Sequence, residues 1–287
     1  MDEFKKNMKE STGVRVFVYL MALLVCTLIG SVFALFMTDN ITQMKIAQGI
    51  SSSLIFIAPP LILYAITRTQ PLRELGFQKP NTAWMLLIGL VLMFVALPIT
   101  NLLTSWNEKM NFGEVFAALE ALLKRLEETA SDFTERMLQV DSVWGLLGNL
   151  LVIALIPAIG EELTFRGVLQ QALVKGTKNA HLGIILSAAI FSFIHFQFYG
   201  FLPRMFLGIL LGYLFYYSGS LWTSILMHFI NNGSAVVVAY LNYKGIVDVD
   251  MDHFGSTTSI PLMILSFVAI VALIYVSNKL SKKYGRQ

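Results

Sequence analysis

The sequence predicts an all-α, polytopic membrane protein of about eight transmembrane helices. Apolar residues make up 56% of the chain and charged residues only 14%, which is unlike a soluble globular domain. The mean hydropathy of +0.67 agrees with this. Apolar runs long enough to cross the bilayer recur along the whole chain. A few polar side chains lie inside these runs, where a helix facing lipid would exclude them.

The predicted spans are the apolar runs of the chain in order. They lie at 15–37, 46–66, 82–104, 144–165, 181–198, 202–217, 220–241 and 260–278. The fifth and sixth runs are separated only by the short stretch 198–201, so their ends depend on where this break falls. Because no soluble domain or repeat interrupts the series, we expect residues 1–287 to form a single integral membrane domain.

Basic residues flank alternate ends of these runs, as the positive-inside rule requires of cytoplasmic loops. They are Lys5, Lys6, Lys9, Arg15, Arg68, Arg73, Lys79, Lys175, Lys178, Lys279, Lys282, Lys283 and Arg286. This distribution predicts a multi-pass protein of the cell membrane with both termini in the cytoplasm. Because topology explains the basic residues, the net charge of +3 does not indicate a nucleic-acid partner. Membrane lipids are the expected surroundings, and Arg204, near the outer end of the sixth run, is expected to extend to the interface.

The segment 112–138 predicts an amphipathic helix outside the bundle core. Apolar residues recur in it at spacings of three and four, at Phe112, Val115, Phe116, Leu119, Leu122, Leu123 and Leu126. Acidic residues exceed basic ones around this helix, which suits the exterior face. We expect the helix to lie on the membrane or to pack over the bundle, and a gate over the interior is the alternative.

The fourth run contains Glu161, Glu162 and Arg166 within otherwise continuous hydrocarbon. A charged side chain at bilayer depth costs at least ~2.5–3.5 kcal/mol on insertion scales, so this cluster indicates a functional site. On a helix Glu162 and Arg166 are four residues apart and can form an ion pair, which alone could be structural. Glu161 is turned about 100° away from that pair and is therefore expected to be the more reactive acid.

Further polar residues lie in the runs that follow, namely His195, His228 and Asn232. Glu161 and His195 are equally far in sequence from Lys178, where the connection between their helices is expected. An antiparallel hairpin would therefore place them at the same depth. His228 and Asn232 share one helix face because they are four residues apart. The sequence thus predicts one buried polar cavity built from three helices.

Such a cavity can support the attack of water on a carbonyl group. A carboxylate in apolar surroundings is a stronger proton acceptor than in water, and a neutral imidazole can share the water. Glu161 and His195 fit these tasks. His228 and Asn232 could donate hydrogen bonds to the oxyanion, a role whose loss typically costs about 10²–10³ in rate. Peptide-bond hydrolysis is the reaction that this set supports best.

Two alternatives remain open at this point. Glu161, His195 and His228 with an open fourth position would also suit a catalytic zinc ion, and their spacing does not decide between zinc and no cofactor. The same cavity could instead belong to a non-catalytic immunity or scaffold protein that binds a peptide partner. A variant lacking Glu161 would lose peptide hydrolysis but would keep the binding of a peptide partner.

The ordered motifs Glu161-Glu162-x-x-x-Arg166, Phe191-x-x-x-His195 and His228-x-x-x-Asn232 resemble those of the CPBP family. These are CAAX-processing and bacteriocin-processing intramembrane proteases, and they include the type II CAAX prenyl endopeptidases. The resemblance covers residues 145–240 as a catalytic core. It implies an eight-helix fold with a conical, membrane-embedded catalytic cavity.

The resemblance also implies a role for each motif residue. Glu161 and His195 would act on the attacking water, His228 and Asn232 on the oxyanion, with Glu162 and Arg166 supporting the site. Eukaryotic members cleave after a prenylated cysteine, whereas many bacterial members look like peptide-maturation or immunity factors. The expected substrate is therefore a peptide or a lipid-anchored protein, with prenylation left open.

Overall fold

The computed structural model describes residues 12–34, 40–67, 71–111, 113–249 and 259–285. The described part of the chain is helical and contains no strand, which confirms the predicted all-α class. Some residues used in the sequence analysis lie outside the described residues. They are Lys5, Lys6, Lys9, Arg68, Phe112 and Arg286.

The helices are numbered α1 to α10 in chain order. They are α1 Thr12–Ala34, α2 Ile41–Thr67, α3 Pro71–Glu74, α4 Trp84–Glu108, α5 Ala117–Leu138, α6 Val143–Thr177, α7 Ala180–Phe193, α8 Phe201–Ser218, α9 Leu221–Tyr243 and α10 Ile260–Tyr284. In the described part of the chain, 7 helices are long and apolar enough to cross a membrane, and α7 is apolar but shorter. Together they agree with the predicted count of about eight.

Two helix ends differ from the predicted spans. Helix α6 continues past residue 165 to Thr177, since the polar residues that interrupt its apolar run face the protein interior rather than end the helix. It ends at Lys178, whose left-handed φ of 53° reverses the chain, so the predicted position of this connection is confirmed. Helix α7 ends at Phe193, before the predicted end at residue 198. Because α7 ends there, His195 lies outside the helix.

Two of the spanning helices contain widened, π-helical turns just before a proline. The turn Ser53–Ile57 precedes Pro59 in α2, and the turn Leu150–Leu155 precedes Pro157 in α6. Proline has no backbone N–H and its ring crowds the carbonyl one turn earlier, so a widened turn relieves the clash without breaking the helix. A third such turn, Leu163–Gln170, directly follows the two glutamates of α6.

Helix α8 lies at the centre of the bundle and packs against α4, α7 and α9. One apolar cluster joins α4, α8, α9 and α10 and includes Leu92, Leu210, Leu214, Met227 and Ile270. A second cluster joins α1, α2 and α6 to the start of α9 and includes Tyr19, Leu63, Leu163 and Leu221. The polar cavity lies beside these clusters, so its walls are held by close-packed side chains.

The amphipathic helix α5 lies across one end of the bundle. Its carboxylate Glu127 accepts a hydrogen bond of 3.1 Å from the backbone N–H of Tyr199, in the connection between α7 and α8. Asn149 of α6 donates to the carbonyl of Met137, near the other end of α5, at 2.9 Å. Its apolar residues Leu119 and Leu122 stay exposed, as expected of a helix that lies on a membrane surface.

The opposite end of the bundle carries the described basic flanks. Arg15 at the start of α1 forms an ion pair of 2.7 Å with Glu74 of α3. Gln171 near the end of α6 donates to the carbonyl of Glu74 at 2.9 Å. The positive-inside rule assigns this end to the cytoplasm and the α5 end to the exterior, which stays a prediction.

This sidedness can be tested by labelling single cysteines, after the buried Cys26 is replaced by alanine. Ser131→Cys lies on the exposed side of α5, and Gly176→Cys lies near the opposite end of α6, where nothing lies within 4 Å. In intact cells, a membrane-impermeant maleimide is expected to label the first variant only. Gly176→Cys should become reactive once the membrane is permeabilised, and the reverse pattern would contradict the assignment.

Candidate active site

A cavity of about 450 Å³ lies beneath α5 and reaches into the bundle. All of the residues predicted to touch the substrate line it, namely Glu161, His195, His228 and Asn232. Helix α5 contributes Phe133, Thr134 and Met137 to the same lining. The cavity therefore extends from the acids in the membrane-spanning part of α6 to the amphipathic helix at the end of the bundle.

Glu162 and Arg166 form the deepest ion pair of the site. Their charged groups approach to 2.7 Å, and their side chains are 0% and 1% exposed, which confirms the predicted pair. The guanidinium also donates a hydrogen bond of 2.9 Å to the carbonyl of Gly208 in α8. It lies over the ring of Phe191 at 5.1 Å from the ring centre. Arg166 thus connects α6 to α7 and α8 with its charge fully compensated.

Two glycines of α8 accept hydrogen bonds from α6 through their carbonyl groups. Gln170 donates to the carbonyl of Gly212 at 3.0 Å, one turn after Arg166 makes the same type of bond to Gly208. A side chain at Gly212 would bring its first carbon within 2.7 Å of the Gln170 amide oxygen. The spacing Gly-x-x-x-Gly is a known signal for close helix packing in membranes. That signal is present in the sequence and agrees with the close packing of α8 against both α6 and α7.

His228 connects the two glutamates. Its Nδ1 lies 2.9 Å from Glu162 Oε1, the same oxygen that Arg166 contacts, and its Nε2 lies 3.7 Å from Glu161 Oε2. A carboxylate can only accept, so Nδ1 carries the proton in this bond. The charged groups then alternate in sign along the series Arg166, Glu162, His228 and Glu161 when the imidazole is protonated. The sequence analysis did not predict the contact between His228 and Glu162.

His195 lies just beyond the end of α7, so the prediction that it is part of a helix running to residue 198 is wrong. Its Nδ1 lies 2.7 Å from the carbonyl oxygen of Phe191. A carbonyl only accepts, so this nitrogen carries the proton and Nε2 of the neutral ring is left as an acceptor. The next residue, Phe196, has a left-handed φ of 53°, which is unfavourable for a bulky side chain. The chain therefore turns sharply directly after the histidine, and strain of this kind is concentrated at functional sites.

The amide of Asn232 is oriented by its neighbour in sequence. Asn231 donates a hydrogen bond of 3.2 Å to Asn232 Oδ1, and both residues line the cavity. The oxygen of Asn232 is thus occupied as an acceptor, which leaves its amide nitrogen to donate to another group.

Arg204 lines the same cavity, which the sequence analysis did not predict. The side chain is half-buried and donates to Gln197 in the connection between α7 and α8. An arginine near a helix end can turn towards either the interface or the interior, and sequence position alone does not distinguish the two.

The alternative zinc set can be compared with this arrangement. Within the described ranges, no group of three His, Cys, Asp or Glu side chains is placed to hold a metal ion. Glu161, His195 and His228 line one cavity, but they do not converge on a common point as a ligand set. We therefore assign no step of the chemistry to a metal.

The fold and cavity define a multi-pass membrane protein in which buried acids and imidazoles meet between the spanning helices. Residues 143–234 match the family model of the type II CAAX prenyl endopeptidase Rce1-like family. This segment carries every motif residue of the site and is similar in extent to the predicted core at 145–240. The predicted resemblance to the CPBP family of CAAX-type intramembrane proteases is confirmed over these residues. No curated protein and no solved structure matches the chain.

The buried ion pair gives a prediction for stability. Glu162→Gln should lower the free energy of unfolding by about 3–5 kcal/mol, because Arg166 and His228 lose the charge that compensates them. The thermal unfolding midpoint of the protein in lipid nanodiscs should fall accordingly. Glu161→Gln is the matched control and should change the midpoint much less, since the described contacts give Glu161 no direct hydrogen bond. An unchanged midpoint for Glu162→Gln would contradict the role given to this residue.

Proposed function

We propose that the protein is an intramembrane endopeptidase that hydrolyses a peptide bond in a membrane-associated peptide or lipid-anchored protein. Water activated by Glu161 and His195 is the nucleophile. The observation that carries the proposal is that both residues line one cavity with Asn232, which has an amide nitrogen left to donate. The family match supports proteolysis in general, and the residue roles are those that the resemblance implies.

Glu161 is the general base in this mechanism. Its side chain is 12% exposed, and its carboxylate lies 3.7 Å from His228, beyond hydrogen-bond distance, so an oxygen remains available to a water molecule. Glu161 takes a proton from the water, and the water oxygen attacks the carbonyl carbon of the peptide bond. Nε2 of His195 accepts a hydrogen bond from the same water and orients it. The proton on Glu161 then passes to the amine as the C–N bond breaks.

The oxyanion formed by this attack needs hydrogen-bond donors in place beforehand. The amide nitrogen of Asn232 is one donor in our proposal. Nε2 of His228 is the second, and it can donate only when the imidazole is protonated, because Nδ1 already carries a proton. Glu162 holds the ring in place from its other side through the bond to Nδ1. Glu162 and Arg166 thus support the site without touching the substrate, and no cofactor is part of the proposal.

The position of the cavity suggests how the substrate approaches. The cavity extends to α5, at the end of the bundle opposite the described basic flanks. With the predicted orientation in the cell membrane and both termini in the cytoplasm, this is the exterior end. We therefore infer that the peptide enters from the outer leaflet or from beneath α5.

The proposal is tested by comparing peptide termini in membrane and secreted fractions of cells that express the protein or its Glu161→Ala variant at matched levels. We expect a set of new termini that disappears completely with Glu161→Ala, because the water then lacks its base. Glu128→Ala removes an exposed acid on α5 and is the matched control, whose termini should be unchanged.

The same experiment separates hydrolysis from binding. Identical termini in all strains, together with rescue of a deletion phenotype by Glu161→Ala, would show that the cavity binds a partner without cleaving it. Disappearance of the termini with both variants would instead indicate a general defect in the membrane fraction.

A further inference from the structure

The cavity contains a cation that the proposed hydrolysis does not use. Arg204 lies in the first turn of α8, and its side chain turns back towards the connection from α7. Its Nη2 donates to the side-chain oxygen of Gln197 at 3.0 Å, and its Nη1 donates to the backbone oxygen of Gln197 at 3.3 Å. The residue lines the same cavity as Glu161 and His195. The guanidinium is thus a fixed part of the cavity wall.

The connection around Arg204 fits its guanidinium closely. Gly200 lies against the group, and a side chain there would bring its first carbon within 2.9 Å of Nη2. The connection is itself fixed by Asn107 of α4, which is fully buried. Asn107 donates to the carbonyl of Phe198 at 2.8 Å and accepts from the N–H of Leu202 at 2.7 Å. The position of the charge is therefore set by the fold and not by a flexible side chain.

The charge of Arg204 has no direct ionic partner in the part of the chain that the structure describes. Both described hydrogen bonds go to neutral oxygens of Gln197, and a guanidinium has five N–H donors. Glu127 on α5 and Glu161 on α6 interact with it electrostatically from a distance, but neither comes within ion-pair range. Donors thus remain available, and a half-buried cation with free donors favours an anionic ligand.

We propose that Arg204 is the carboxylate-binding residue of the cavity and holds an anionic group of the substrate close to the bond that is cut. The proposal rests on the proposed hydrolysis and adds to it a class of substrate. An arginine binds a carboxylate through two parallel hydrogen bonds, which fixes direction as well as position. A cavity of about 450 Å³ accepts only a short stretch of peptide, so the carboxylate must lie near the reacting carbonyl. It belongs either to the C-terminus of the peptide or to an acidic side chain.

Binding of defined peptides tests this proposal without requiring cleavage. The full chain carrying Glu161→Gln, which keeps the peptide intact, is placed in nanodiscs. The probes are fluorescent, palmitoylated hexapeptides of apolar sequence that differ only at the end, with a free C-terminal carboxylate, a C-terminal amide, or an amide preceded by aspartate. The free acid is expected to bind about 10- to 100-fold more tightly than the plain amide, as a charge-assisted pair implies.

The source of the carboxylate follows from the third peptide. If the aspartate peptide binds as tightly as the free acid, the site accepts any nearby carboxylate. If it binds as weakly as the plain amide, the site is specific for the C-terminal carboxylate. Adding Arg204→Gln should remove the preference, because it should weaken the binding of the free-acid peptide alone. Arg204→Lys should retain part of it, because the charge remains while the paired hydrogen bonds are lost.

Equal affinity of the acid and the plain amide in the chain that retains Arg204 would overturn the proposal, and this comparison needs no variant of Arg204. An equal loss of affinity for both peptides in Arg204→Gln would also overturn the proposal, since a purely structural residue would have that effect. A clear preference for the acid in a protein that leaves cellular peptide termini unchanged would preserve the carboxylate site and reject the hydrolysis.

Discussion

The arrangement of the site depends on one hydrogen-bonded charge, the carboxylate of Glu162. It is fully buried, and one of its oxygens contacts both the guanidinium of Arg166 and Nδ1 of His228. A charge at this depth is tolerated only when its partners are in place, so α6 and α9, which carry these residues, must pack in one way. Arg166 also bonds directly to the carbonyl of Gly208 and so connects α6 to α8.

Because of this constraint, the two adjacent glutamates have different roles. Glu162 is committed to the ion pair and fixes the ring of His228 by its Nδ1. Glu161 lies one residue earlier, faces the cavity and has no direct hydrogen bond within the described residues, so it is free to accept a proton in our proposal. At one end of the bundle, α5 covers the cavity. Burial there raises the pKa of Glu127, and the hydrogen bond from Tyr199 and the charge of Arg204 offset only part of this rise.

The sequence predicts the parts of this structure that follow from local rules. Hydrophobicity identifies the helices, the spacing of four identifies the pair of Glu162 and Arg166, and equal distances from Lys178 place Glu161 and His195 in one cavity. Other features have no local signal. An apolar loop and an apolar helix have the same hydrophobicity, so the predicted end of α7 lies too far along the chain. The bond of His228 to Glu162 joins helices that are far apart in sequence.

The coupling between Glu162 and His228 tests the account most directly. The unfolding midpoint in nanodiscs would be measured for Glu162→Gln, His228→Gln and the double variant, each compared with the unaltered protein. The account predicts that the loss in free energy of unfolding for the double variant is smaller than the sum of the two single losses by roughly 1–3 kcal/mol, because both changes remove the same bond. Strictly additive losses would show that the two residues act independently and would contradict the account.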